Sequence, residues 1–567
     1  MSDCKSSLTM NLNRYFTNSV NPKPLTRFAR VTRIAMLAGL LTVGMAACDD
    51  SILDETPLSD LNTDAVLSTR SGFENYINAL VLSARNELTN GDNWYRHINN
   101  TDVASSAGAE YAGTYNWNNQ ITPTTGFVRY FWDWAYQEMI LRANTIIEYA
   151  QKPELEGIWA SEADKNAIIA EARFFRAYTY NSLANLYGGV PIVDQVYASP
   201  KFDFVRASRE QVYEFAKNDL VFASQWLPAT TAQEGRIVKA AADHLLAEVY
   251  ISLGQYDNAI ASATAVIESG LYQLMTERFG AFKDSPGDVF SDLFKEGNQN
   301  RSSGNLESIY VWQIEENTLG GGGAVGNSNL RNWAPHLANI RDPNGVPQLV
   351  TDSLGRGVGR SRLSVHAAYT VWLESVNGPT DMRNSKYNMR RKFYYNNPAS
   401  AYFLQEIEPK TTREDTMRNI YPYSTKVDGK PLNGNNTSGR TAKDIMVFRL
   451  AETYLLRAEA HLKNGDPDLA AADINVVRAR AQAQPVDPAD VDMDYILDER
   501  IRELLVEEPR RRTLIRTGKL VERVRKYDIL IEGRESVQEH HAFFPIPQSA
   551  IDANFAAVLE QNPGYNE

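Results

Sequence analysis

Apolar positions recur at helical spacing in four long stretches of this chain. The first covers residues 64–88, where Ala65, Phe73, Tyr76, Ile77 and Leu80 line one face. The second covers 131–187 and is interrupted near Lys152-Pro153 and Gly157. The third covers 208–269, with breaks at Pro228 and Gly254. The fourth covers 443–520, with breaks at Gly465-Asp466-Pro467 and near Pro485. Each break carries the Gly and Pro punctuation that ends helices. Between the third and fourth stretches the periodicity lapses. Residues 275–440 are rich in Gly, Asn, Pro, Tyr and Arg, and hold short strand-like runs at 308–314 and 389–395.

Two helical segments share a pattern. Ala247 precedes Gly254 by seven positions and Ala259 follows it by five; Ala458, Gly465 and Ala470 repeat both spacings. Small residues let antiparallel helices approach closely and Gly makes the turn between them, which is the logic of a tetratricopeptide hairpin. The predicted fold is therefore mostly α: a solenoid of tetratricopeptide-like helix pairs with a large, irregular, loop-rich insertion and few short strands. The helical scaffold occupies about 61–270 and 441–567 of a single domain at 61–567, and the insertion about 275–440. Loops held on rigid scaffolds often carry function. The Gly320-Gly321-Gly322-Gly323 run reads as a flexible loop; no Gly-Lys-Ser/Thr follows to make it a phosphate cradle.

The N-terminus changes the picture. Lys5, Arg14, Lys23, Arg27, Arg30 and Arg33 form a basic leader with no acidic residue between Cys4 and Cys48. The apolar stretch that follows, 34–44, is far shorter than the roughly 20 residues of a membrane span, so it reads as a secretory signal over 1–47. Its end, Met45-Ala46-Ala47-Cys48, resembles a lipobox with Met where Leu is usual. Cys48 is the predicted lipidation site, and 48–60 a lipidated acidic tether. With Cys4 removed in the leader, Cys48 is the only remaining thiol, so there is neither a disulfide framework nor a Cys metal site.

Charge and motifs narrow the function. The chain carries a net charge of −12, and loss of the basic leader makes the exported part more acidic still, which disfavours nucleic acid. Seven scattered His form no His-Glu-x-x-His, Gly-x-Ser-x-Gly is absent, and no EF-hand spacing marks a calcium loop. No enzyme, metal or cofactor is expected. The acidic side chains are too numerous for a catalytic pair to be read without geometry.

Several segments, in order, resemble the SusD/RagB family of Bacteroidetes outer-membrane lipoproteins over nearly the whole exported chain. They are Phe131–Ile147 (FWDWAYQEMILRANTII), Glu171–Val193 (EARFFRAYTYNSLANLYGGVPIV), Phe448–Gly465 (FRLAETYLLRAEAHLKNG) with Ile474-Asn475 and Arg478–Ala481, and Asp498–Lys519 (DERIRELLVEEPRRRTLIRTGK). The endings Phe543–Pro547 (FFPIP) and Gln561–Tyr565 (QNPGY) match as well. The chain departs at Pro509, where Gly is usual, and at Thr513, where Asp is usual. The resemblance implies a binding protein without catalytic activity, lipid-anchored on the outer membrane and facing the cell exterior. Its partner would be a SusC-like TonB-dependent transporter, to which it would deliver oligosaccharides. The acidic run after Cys48 resembles the surface-export signal of such lipoproteins. An oligopeptide ligand, or a protein-interaction scaffold built on the repeats, stays open as an alternative.

Most of the family-like residues read as structural. Glu171, Arg173 and Arg176 suggest a helix-packing ion pair, and Glu499, Arg500 and Glu503 a helix-face charge network. Gln561–Tyr565 is expected to dock the C-terminus. A sugar site needs exposed aromatic faces for stacking beside Asp, Asn, Gln or Arg. Of the nine Trp and 28 Tyr, several lie in loop-like sequence that fits. Trp94, Trp117 and Trp333 are the candidate stacking residues, with Tyr95 and Tyr115 beside them. Asp92, Asn93, Arg96, Asn118 and Arg331 are the candidate polar contacts. Trp132, Trp134 and Trp312 fall in regular elements and are expected in the core.

Overall fold

The computed structural model describes residues 63–89, 97, 99–107, 116–318, 320–322, 326–350 and 356–565. The expected signal segment, Cys48 and the acidic tether lie outside them. Every element named below belongs to the unit Asp64–Glu567.

The solenoid is built from hairpins of antiparallel helices. Helix α1 is Arg70–Thr89. Residues 126–150 run as one helical rod: α2 (Gly126–Asp133), a π-helical stretch (Trp134–Ile140) and α3 (Leu141–Ala150). The wider π turn sits where the Trp134 indole N–H donates to Ser83 O at 2.7 Å, tying the rod to α1. Helix α4 (Glu162–Leu186) starts at Ser161, whose side chain accepts from the Asp164 amide, and ends at Tyr187 and the left-handed Gly188. Helix α5 (Arg209–Trp226) opens with a capping box between Ser208 and Gln211.

Helices α6 (Lys239–Ser252) and α7 (Tyr256–Ile267) form one repeat hairpin, and α8 (Leu450–Lys463) and α9 (Pro467–Arg480) the other. Gly254 and Gly465 turn the chain with φ of +71° and +91°, a conformation that costs any other residue a Cβ clash. Ala247, Ala259, Ala458 and Ala470 are all fully buried, so the shared spacing marks true helix-to-helix contacts. The two hairpins, nearly two hundred residues apart in sequence, touch: α7 packs on α8, and Ile251, Ala259, Leu456 and Ala460 share one apolar cluster. The solenoid thus continues as though the insertion were absent. It closes with α10 (Met493–Leu504), α11 (Arg510–Arg516) and α12 (Leu520–Tyr527).

Three two-stranded antiparallel ladders tie the insertion down. Strand β1 (Ala104–Ser106) pairs with β3 (Ser361–Leu363), β2 (Ser308–Trp312) with β6 (Ile445–Arg449), and β4 (Met389–Arg390) with β5 (Tyr423–Ser424). Two expectations need correction. The fourth helical stretch does not begin at Lys443: Ile445, Met446, Val447 and Phe448 suit a pleated surface and pair with β2, so the helix starts only at Leu450. The strand expected over 389–395 stops at Arg390, because Phe393 and Tyr395 instead bond back to Ile407 and Gln405.

The core is helix-on-helix, and Trp132, Trp134 and Trp312 are buried in it. The charged residues singled out in the sequence are also internal. Arg176 grips Asp219 of α5 with two hydrogen bonds (2.7 and 2.8 Å), Arg173 approaches the same carboxylate at 3.7 Å, and Glu171 pairs with Arg236 rather than with either. The C-terminus docks as expected: Gln561 bonds both main-chain groups of Ile546, and the Asn562 amide donates to Tyr187 O and Phe544 O.

Candidate functional site

A charged core fastens the insertion to the solenoid. Glu503 of α10 receives Arg449 (2.6 Å), Arg383 (3.0 Å) and Arg480. Glu499, one turn earlier, receives Arg383 (2.7 Å), Arg478 (2.8 Å) and Arg502 (2.7 Å). Glu307, just before β2, takes Arg449 at 3.3 Å and Arg480. Arg383 and its neighbour Asp381 (2.9 Å) come from the insertion, and Glu307 from its first part; the rest come from the solenoid and β6. These side chains are within 2% of complete burial, so what read as a helix-face network is an internal one. Burial raises the Glu503 carboxyl, but the field of Arg480, Arg449 and Arg383 outweighs it and holds the group well below the usual range. Beside it, burial draws the Lys426 ammonium down to about 8, while its Nζ donates to Glu503 O and pairs with Glu507 at 2.5 Å.

The flank where the segment after α1 meets the insertion loops is built differently. The β1–β3 ladder joins the segment after α1 to the insertion. Buried Asp102 holds Arg510 (2.6 Å) and Arg523 (2.5 Å). Asn100, at a left-handed φ of 57°, donates to Asp528 at 3.3 Å, and Ser105 donates to the same carboxyl. Burial pushes Asp528 up to about 6. Asn99 donates to Arg360 O at 3.1 Å, and its own carbonyl accepts from Arg511 at 3.3 Å. Arg511 is buried without a carboxylate partner among the described residues; its guanidinium lies 4.6 Å over the Trp117 ring and 5.3 Å over Phe544. Burial draws it down to about 10.

The structure places the described candidate residues unevenly. Trp117 opens a short helix (Trp117–Gln120) capped by Asn116, but its ring is 2% exposed, covered by Arg511 and His541. Trp333 ends another short helix (Asn329–Trp333) and is 0% exposed, with its carbonyl accepting from the Tyr421 hydroxyl at 3.1 Å. Neither offers a face for stacking, so both are corrected from ligand platforms to packing residues. They sit on short helical turns whose apolar side faces the core, which loop-like composition conceals. Asn118 stands exposed one residue after Trp117. Arg331 is half-buried and donates to Ser438 O at 2.9 Å. Trp94, Tyr95, Tyr115, Asp92, Asn93 and Arg96 lie outside the described residues.

Sequence reading missed a group of arginines at this flank. Val358 and Arg360 make a strand-like pairing with the 331–334 segment, their backbone N–H groups donating to Arg331 O and Asn332 O, both at 2.9 Å. Arg356 donates to Thr437 O at 3.2 Å and lies 3.1 Å from His336 Nε2. Arg418 donates to Val358 O at 3.1 Å. The available signal was the Arg-Gly-Val-Gly-Arg-Ser-Arg run at 356–362, whose glycines permit close chain approach: a methyl on Gly359 would meet Arg418 O at 2.5 Å. The hollow beneath Arg356, bordered by Leu330, Leu337, Leu349 and Tyr423, is only about 40 Å³. Larger hollows of about 540 Å³ (Leu514, Val521, Lys526, Glu539) and 410 Å³ (Trp132, Tyr136, Phe202, Phe204) share no residue with it. Among the described residues no group of three or more His, Cys, Asp or Glu is arranged to hold a metal ion, and no helix is long and apolar enough to cross a membrane.

Two family models match separate stretches of the chain. The model described as "SusD family" matches residues 378–565, and one described as "Starch-binding associating with outer membrane" matches 52–251. The chain belongs to the SusD/RagB family. Among SusD relatives, SusD-like protein P2 of Formosa agariphila is 30% identical over 247 residues, 42% of this chain and 46% of that protein. The starch-binding protein SusD of Bacteroides thetaiotaomicron is 27% identical over 428 residues, 70% and 72% of the two chains. The fold matches surface glycan-binding protein A of Bacteroides thetaiotaomicron, solved in complex with laminarihexaose, with a TM-score of 0.67 at 22% identity, covering 87% of this chain and 99% of that one. The mostly helical SusD architecture expected from the sequence is thus the observed one.

Proposed function

We propose that this SusD-family chain is an outer-membrane lipoprotein, acylated at Cys48 and facing the cell exterior, that binds oligosaccharides and delivers them to a SusC-like TonB-dependent transporter. The observation that carries the reading is the pair of SusD-type matches at 52–251 and 378–565, together with relatives named for starch and laminarihexaose binding. The architecture supports it: the repeat helices form a continuous scaffold, and the buried ion-pair core holds a loop-rich face in a defined place. Its role is binding rather than catalysis. Asn118 and Arg331 are the described residues we assign to ligand contact, and Trp94, Tyr95, Tyr115, Asp92, Asn93 and Arg96 are assigned with them from the sequence.

The test is a calorimetric screen of oligosaccharide and peptide pools, with Trp fluorescence followed in parallel. Micromolar binding to one glycan class supports the reading; binding to peptides alone overturns it. The anchor is checked separately: Cys48→Ala should yield an exported protein that partitions to the aqueous phase, and retention in the membrane fraction would remove Cys48 from the proposal.

A further inference from the structure

The hollow of about 410 Å³ is bordered by three segments that the loop flank does not use: the helical rod at 129–137, the stretch 191–204 after α4, and the C-terminal stretch 549–559. Its walls are rings. Trp132 and Tyr136 come from the rod, Phe202 and Phe204 from the second segment. Phe555, from the third, stacks on Phe202 with centroids 4.6 Å apart and planes at 26°. Phe202 is 38% exposed and Phe555 75%, with Val205 and Val558 also open to solvent nearby in sequence. A gathered apolar surface of this kind marks a binding site more often than a lone exposed side chain does.

These rings are held in place. Asn554 is buried; its side chain accepts from the Phe204 amide at 2.7 Å and donates to Phe204 O and Ala557 O, both at 2.9 Å. The Ala556 amide donates to Phe202 O at 2.9 Å. Arg206 spans the two segments, donating to Gly189 O (2.9 Å), Glu560 O (3.0 Å) and the Asn562 side chain (2.7 Å). On the rod, the Tyr136 hydroxyl donates to Pro191 O at 2.6 Å. Tyr136 and Gln137 lie on the π-helical stretch, a geometry that recurs at functional sites. A ligand meeting such a surface has little of it left to order.

The rim is polar. Arg129 and Asp133 pair at 2.9 Å, Lys201 pairs with Asp203, and the exposed Gln137 amide has no hydrogen-bond partner among the described residues. A lipid chain laid here would desolvate those charges without replacing their water. A sugar answers both parts: its C–H face stacks on a ring, and its hydroxyls exchange hydrogen bonds with amide and charged groups. The volume falls within the roughly 300–1,000 Å³ of small-ligand sites. Trp117 and Trp333 are covered, whereas here ring faces stand open beside polar groups.

We propose that this hollow is a carbohydrate site on the solenoid, taking a short sugar segment by stacking on Phe202 and by hydrogen bonds to Gln137 and the Arg129–Asp133 pair. The inference rests on the carbohydrate reading above and adds a site outside the loop-rich face. Phe555 backs Phe202 on one side and leaves its other side for the ligand.

The test uses the full chain in a detergent without a sugar head group. Laminarin, starch, xylan and dextran serve as polymers, and laminarihexaose and maltohexaose as short probes. Calorimetry is paired with hydroxyl-radical footprinting read by mass spectrometry. The expected result is binding of at least one of these glycans with protection of Phe202 and Phe555 from oxidation. Phe202→Ala with Phe555→Ala should weaken that binding by about tenfold, while Phe202→Tyr with Phe555→Tyr keeps most of it because the ring faces survive. Ser549→Trp, at an exposed rim position, should obstruct the mouth and weaken binding with the melting temperature unchanged. Glycan binding that leaves both rings unprotected and ignores these substitutions overturns the site and leaves the carbohydrate reading in place. Protection of the rings by a peptide pool and by no glycan overturns both, and makes the hollow a protein contact.

Discussion

Two regions of the molecule use arginine in opposite ways. In the inner core, Arg383, Arg449, Arg478 and Arg480 are sealed from water and matched to Glu307, Glu499 and Glu503. At the loop flank, Arg331 and Arg356 are half-buried and matched to carbonyls. A buried guanidinium needs its carboxylate, since each ion left unpaired in the interior costs several kcal/mol. A partly solvated one does not, because water shares its solvation with the carbonyls it meets. The difference teaches how each region is held: the best-paired charges fix the interior, and the flank is fastened through main-chain carbonyls.

Four measurements bear on that contrast. The largest effect should come from Glu503→Gln, which leaves Arg449, Arg383 and Arg480 short of negative charge in the interior. Urea denaturation should show a loss of about 3–5 kcal/mol, and a loss below about 1 kcal/mol would erase the distinction between the two regions. The second is the sign of pH dependence. Glu503 is depressed, so its stabilisation is present above the unfolded value of about 4 and is lost as pH falls through and below it. Asp528, behind the loop flank, is raised to about 6 by burial. Its native form holds the proton more tightly, so its contribution declines as pH rises from about 4 to about 6. Melting temperatures of Asp528→Asn across that window should lack the decline seen in the parent chain; parallel curves would contradict the assignment.

The third case lies between the two. Arg511 is buried like the core arginines but has ring faces in place of a carboxylate. Arg511→Gln should cost about 1–2 kcal/mol, the scale of a desolvated cation–π contact, and clearly less than Glu503→Gln in the same denaturation series. The smallest change is expected for Arg331→Gln with Arg356→Gln, whose stability should shift by less than about 1 kcal/mol. A melting-temperature drop as large as that of Glu503→Gln would turn these two residues into structural staples.

The scaffold was far more legible in the sequence than the ligand face, and the reason is physical. Helix pairs announce themselves through repetition: Ala247, Gly254 and Ala259 recur as Ala458, Gly465 and Ala470, and each marks a contact or a turn that tolerates little else. Loop residues obey no such period. Trp117 and Trp333 sit in sequence that reads as exposed loop, yet each belongs to a single helical turn whose inner side is covered by distant segments. The stretch 445–449 misled for the same cause: its partner, β2, is more than a hundred residues away. The arginine cluster at the loop flank draws on four separate segments, around 331, 356–360, 418 and 440, which no local pattern brings together. One of its members, Arg331, was nevertheless visible beside Trp333 as a polar candidate.

The ladder between β2 and β6 closes a long excursion of the chain, residues 313–444, at its base. For a polymer whose two ends are pinned together, the entropic penalty grows only logarithmically with contour length, about 0.6 kcal/mol for each doubling. Insertions and deletions within the excursion are therefore nearly free for the solenoid, whose α7–α8 junction is complete on the near side of the clasp. A lineage can rewrite the recognition surface, lengthening one loop or trimming another, without renegotiating the stability of the helices that carry it.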